Sequence, residues 1–103
     1  TGVDVNGDLP VRFALLENCP NPFNPVTRIA YDVPAPGGRI GLAVYSVSGT
    51  LVRRLLDEVA RPGRHVAVWD GTDEAGRQVS SGIYFYRLTA PGFTDQRKMV
   101  LLK

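Results

Sequence analysis

Few side chains in this sequence can do chemistry. There is one histidine, His65, and one cysteine, Cys19, and the serines fall mostly among turn residues. A hydrolytic relay would need Ser80 or Ser81 to meet His65 and an acid such as Asp70. Neither serine sits in the glycine-flanked strand-to-helix turn that presents a nucleophile. His65 alternates with Ala67 and Trp69, which reads as a partly buried strand residue rather than a base. One histidine and one cysteine cannot complete a tetrahedral zinc site. Asp4, Asn6 and Asp8 alternate like the first half of a calcium loop, but Leu9 stands where that loop needs glycine and Leu15 where it needs a bidentate glutamate. A plain linker is the better reading. Asp70, Asp73 and Glu74 could gather around a weakly held calcium ion, although acids in turns more commonly bond backbone amides. No glycine loop leads into a helix to cradle phosphate. The expectation is a non-catalytic chain with no metal and no cofactor.

Binding chemistry is limited as well. A formal net charge of +2 is too small for nucleic acid, and only Arg53-Arg54 and Arg97-Lys98 are adjacent cations. No apolar run approaches the roughly 20 residues of a membrane span. Cys19 has no intramolecular partner and is expected to be a free thiol without a role. Tyr84 and Tyr86 share one strand face and could stack on sugar rings if exposed. Ile83 and Phe85 make the opposite face apolar too, so a central strand with both tyrosines in the core is favoured.

Positioning these residues falls to an all-β chain. Eleven glycines and eight prolines divide 103 residues into short alternating runs, with no convincing helix. Residues 1–12 read as a linker and 13–103 as one domain. The start at Thr1 suggests a C-terminal piece of something longer. A short edge strand is expected over Phe13–Leu16, followed by Asn18–Pro25, where prolines forbid a central strand and Phe23 pins the segment to the core. That segment could instead be a proline-rich ligand, but its asparagines suit turns better than docking. Further strands are expected over Thr27–Val33, Arg39–Val47, Leu51–Ala60 and Arg64–Asp70, and finally Thr94–Leu102. Leu51–Ala60 is ambiguous, since Val52, Leu55, Leu56 and Val59 also fit a helical stripe. Trp69–Leu88 reads as an aromatic-rich central hairpin broken by Asp70-Gly71 and Gly76. The count of six or seven strands suits an immunoglobulin-like antiparallel sandwich.

The run Trp69-Asp70-Gly71 through Ser81-Gly82-Ile83-Tyr84 resembles the C-terminal sorting domain (type A) of proteins exported by the type IX secretion system. That domain is itself similar to the immunoglobulin-like domain of flagellar hook-capping proteins. The likeness extends in order from Leu15-x-x-Asn18 and Asn21-Pro22-Phe23-Asn24-Pro25 to Leu42-x-Val44-Tyr45, Gly63-x-His65 and Lys98-Met99-Val100-Leu101. It departs at Cys19, where an aromatic is common, and at Ser46, which stands for the aspartate of a turn.

The resemblance implies a non-catalytic domain that directs attached cargo through the outer-membrane machinery, via the periplasm, to the medium or the cell surface. It associates Gly82, Tyr84, Lys98 and Lys103 with the signal. Asn21, Pro22, Phe23, Asn24, Pro25, Trp69, Asp70 and Gly71 would be structural motif residues. The implied partners are the secretion machinery and an upstream cargo domain. The competing expectation is a structural subunit of a surface filament that forms a homo-oligomer through sheet edges.

Overall fold

The computed structural model describes residues 9–103; Asp4, Asn6 and Asp8 lie outside the described residues. Seven strands follow one another: β1 (Ala14–Leu15), β2 (Thr27–Val33), β3 (Gly38–Ser46), β4 (Leu51–Ala60), β5 (Gly63–Trp69), β6 (Gly82–Ala90) and β7 (Phe93–Leu101). They form a three-stranded sheet in the order β1-β2-β5 and a four-stranded sheet in the order β4-β3-β6-β7. Every strand pairing is antiparallel, so the fold is an immunoglobulin-like sandwich.

Alternation produces this layering. In β2 the side chains of Thr27, Ile29, Tyr31 and Val33 are buried, while those between them reach solvent or are half-covered. Ile40, Leu42 and Val44 of β3 and Tyr84, Tyr86 and Leu88 of β6 face them from the other sheet. Met99 and Leu101 of β7 complete the core. The Tyr86 hydroxyl donates to the Leu16 carbonyl at 2.7 Å, joining the inner faces of the two sheets. Burial pushes its pKa up to about 12. With both rings enclosed, Tyr84 and Tyr86 cannot form a sugar platform, and β6 is central as expected.

Two expectations need a physical comment. Leu51–Ala60 is a strand, and its helix-like spacing comes from two bulges. Along β3 the partner on β4 passes from Leu56 to Arg54, skipping Leu55, and then from Arg53 to Leu51, skipping Val52. Each extra residue shifts the alternation by one position, so Val52, Leu55 and Leu56 all pack against the core.

The second expectation is corrected. Trp69–Leu88 is not a hairpin, because β5 pairs with β2 in one sheet and β6 pairs with β3 and β7 in the other. The chain crosses between layers, and the connection folds back on itself instead. Asp73 N–H bonds the Arg77 carbonyl and Val79 N–H the Gly71 carbonyl, each at 2.9 Å. A connection this long exceeds the few residues of an ordinary hairpin loop.

Trp69 sits where the crossing starts and is fully buried. Its Nε1–H donates to the Thr72 carbonyl at 2.9 Å, and its ring lies 5.6 Å from Phe23 and 5.4 Å from Tyr84. Replacing Trp69 with Ala should cost about 3–5 kcal/mol in denaturant unfolding, through lost packing and an unfilled cavity. A wild-type unfolding midpoint would contradict this.

Candidate functional site

The residues available for catalysis do not converge. His65 is half-buried on β5, stacked on Tyr31 with ring centroids 5.3 Å apart, and its Nε2–H donates to the Arg61 carbonyl at 2.8 Å. Asp70 lies five residues further along an extended chain, roughly 16 Å away at about 3.3 Å per residue. Ser80 contributes its backbone carbonyl to the Tyr84 hydroxyl. Among the described residues no group of three His, Cys, Asp or Glu side chains could hold a metal ion. Cys19 is exposed and free.

Asp70 and Asp73 organise turns. The Asp70 carboxylate accepts from the Thr72 hydroxyl and backbone N–H, and Asp73 accepts from the N–H groups of Ala75 and Arg77. Arg53, which carried no signal in the sequence beyond its charge, donates to Thr72 Oγ1 and the Asp73 carbonyl at 2.8 Å each. This ties β4 to the crossing loop. Gly71 has φ +79°, and a Cβ there would stand 3.2 Å from the Pro25 carbonyl oxygen, so the loop can approach Asn21–Pro25 only with glycine. Ser46, standing for an aspartate, still closes its turn, since its Oγ accepts the Thr50 N–H at 3.2 Å.

The proline-rich segment meets the chain's last described strand, β7. Phe23 N–H donates to the Val100 carbonyl at 3.0 Å, and Leu102 N–H to the Phe23 carbonyl at 2.9 Å. Asn21 Oδ1 accepts the Val100 N–H at 2.9 Å. Asn21–Phe23 therefore clamps the far end of the edge strand, while the Phe23 ring enters the core against Trp69. Asn18, also buried, donates to the Pro20 carbonyl and to Thr27 Oγ1, steadying the approach to the clamp. Further up β7, Arg97 Nε–H donates to the Leu15 carbonyl at 2.9 Å. No spacing in the sequence indicated the roles of Asn21 and Arg97, because their partners lie 79 and 82 residues away along the chain.

Gly82 and Tyr84 lie beside this strand, paired with Leu101 and Met99. Gly82 has φ +151°, with open space where a Cβ would stand, so backbone conformation alone favours glycine there. Tyr84 is buried, and its hydroxyl donates to the Ser80 carbonyl at 2.7 Å. Lys98 and Lys103 are exposed, Lys98 on the outward face opposite Phe85. The four residues thus share one region but not one surface: Tyr84 serves the core, Gly82 sets the backbone where β6 begins, and the two lysines reach solvent.

Two predictions concern this region. Asn21→Ala removes the Val100 contact without touching the core, so amide exchange at Val100 and Leu102 should quicken while β2 and β5 keep their protection. Uniform protection would show that the clamp is not needed to hold the strand. Asp70 is held below its ordinary value of 3.8, chiefly by the Thr72 hydroxyl and further by the Thr72 N–H and the Arg53 charge. The unfolded chain therefore takes up this proton first, so the contribution is complete above the ordinary value and is lost as pH falls through the lower folded value. Asp70→Asn should flatten the stability profile below about pH 4. An unchanged acid slope would contradict it.

Comparisons agree with this architecture. The FlgD Ig-like domain family model matches residues 23–92. No curated relative matches the chain. Among solved structures, the dimeric latent form of PorU from Porphyromonas gingivalis has a TM-score of 0.68 at 22% identity, over 85% of this chain and 9% of that one. PorZ from the same organism, described as an essential bacterial surface component of its type IX secretion system, has a TM-score of 0.56 at 17% identity, over 87% of this chain and 12% of that one. The Pseudomonas fluorescens alkylpurine DNA glycosylase AlkC, bound to DNA containing an abasic site analog, has a TM-score of 0.54 at 12% identity, over 88% and 30%. The chain thus spans only a small part of each of these proteins, and at these identities the likeness is one of fold. With the sandwich described above and a family match reaching from Phe23 to Gly92, the chain belongs to the FlgD Ig-like domain family.

Proposed function

We propose that this chain is a non-catalytic domain that directs attached cargo through the type IX outer-membrane secretion pathway, by way of the periplasm, to the medium or the cell surface. The observation that carries the reading is the exposure of Lys98 and Lys103 on a clamped edge strand and its tail. A receptor can meet these cations without unfolding the core. Support also comes from the shared fold with PorZ, a surface component of that system, and with PorU. The ordered series of motifs, from Leu15-x-x-Asn18 to Lys98-Met99-Val100-Leu101, points the same way. In this reading the partners are the outer-membrane machinery and a cargo domain joined upstream, and Gly82 and Tyr84 keep β6 in place beside the recognised strand.

A second reading has its own observation. β5 is an edge of its sheet and carries exposed Val66 and Val68, which would suit a subunit of a surface filament. That reading requires self-association, visible as a sedimentation coefficient that rises with concentration.

The deciding experiment combines Lys98→Ala with Lys103→Ala. Both side chains are exposed, so stability should stay within about 0.5 kcal/mol of wild type. Cargo fused to the folded double variant should accumulate in the periplasm. Normal export of that variant would overturn the role given to these lysines.

A further inference from the structure

The outward face of the four-stranded sheet holds a second constellation, separate from Lys98 and Lys103. Ala43 on β3 has two direct cross-strand neighbours, Arg54 on β4 and Arg87 on β6. Paired residues project to one face, so two guanidinium groups flank a single methyl group. Ala43 is 8% exposed although it points away from the core, because the longer side chains around it cover it. Between them lies a groove of about 230 Å³ lined by Gly41, Ala43, Tyr45, Arg54, Leu56 and Arg87, among others.

The charges in this groove are uncompensated. Among the described residues neither guanidinium lies within 4.0 Å of a carboxylate. Asp57 borders the groove but is engaged by Arg39 at 3.1 Å. Glu74 bonds the Arg54 backbone N–H rather than its side chain. Arg87 is already held in place. Its Nε and Nη2 both donate to Gln96 Oε1, at 3.3 and 3.2 Å, and its Cζ stands 4.6 Å over the Tyr45 ring. A guanidinium fixed in this way loses little side-chain freedom on meeting an anion, and its remaining N–H groups suit a planar, two-pronged acceptor.

We propose that this groove docks an acidic segment of a protein partner, seating one carboxylate between Arg54 and Arg87. The volume is below the roughly 300–1,000 Å³ of sites that enclose a whole small ligand, so it suits one side chain of a larger molecule. Ala43, between the two guanidinium groups, offers apolar contact to the methylene groups behind a glutamate or aspartate carboxylate. Arg87 already covers the Tyr45 ring, which leaves a sugar no stacking platform. The proposal uses different residues from the export reading and stands or falls separately from it.

The test titrates the isotope-labelled full chain with a soluble peptide of alternating glutamate and valine, following backbone amide signals. Saturable shifts are expected at Gly41, Ala43, Arg54 and Arg87. Arg54→Gln and Arg87→Gln should each weaken binding about tenfold, as loss of a charge-assisted hydrogen bond implies. Gly41→Leu separates a shaped site from general surface charge, since it fills the groove and keeps both arginines. A Cβ at Gly41 meets only the Leu56 carbonyl oxygen, at 3.9 Å, so this variant should keep a native spectrum and lose the shifts. Equal binding of a glutamine-for-glutamate peptide, or unchanged affinity in the arginine variants, would overturn the proposal. So would a response confined to inorganic phosphate or to phosphatidylglycerol vesicles.

Discussion

The indole of Trp69 is the constraint on which the rest of the molecule depends. It ends β5, and its ring meets Tyr84 from the opposite sheet and Phe23 from the proline-rich segment. Its one polar atom is satisfied by the Thr72 carbonyl, just where the chain turns to cross between layers. A buried indole with its N–H unpaired would offset much of what its area contributes. The loop geometry set by Asp70, Gly71 and Thr72 is therefore a condition of burying the ring. Phe23 in turn holds Asn21 and the Phe23 backbone against β7. One side chain thus couples the layer crossing, the proline-rich segment and the edge strand.

Much of this architecture was legible in the residue pattern, and the failures have definite causes. Thr27–Val33 and Leu51–Ala60 form strands with the expected bounds, the first because it alternates strictly and the second because its neighbours are strands and its bounding turns are short. Burial of Tyr84 and Tyr86 followed from apolar residues on both faces of their strand, and that of Phe23 from its being the one large apolar side chain in a proline-rich segment. The hairpin reading of Trp69–Leu88 failed because alternation tells which way a side chain points, not which sheet the strand joins. The Leu55 and Val52 bulges imitated a helix for a related reason, since an inserted residue breaks the period of two. The clamp and the Arg54–Arg87 pair were hidden altogether. Both arise from strand neighbours that only the folded register reveals.

The titratable groups that might have served a reaction are bound into the scaffold. His65 bonds a carbonyl and stacks on Tyr31, Asp70 and Asp73 close turns, and the Tyr86 hydroxyl ties the inner faces together. What stays available is positive charge on outward faces, at Lys98, Lys103, Arg54 and Arg87.

The clamp also has a temporal meaning. The segment that receives β7 is among the first of the domain to be synthesised, and β7 is the last strand to appear. Met99 and Leu101 are fully buried, so the sandwich lacks part of its interior until those residues arrive. Contacts between residues 79 and 82 positions apart make closure of the sandwich a slow, non-local step.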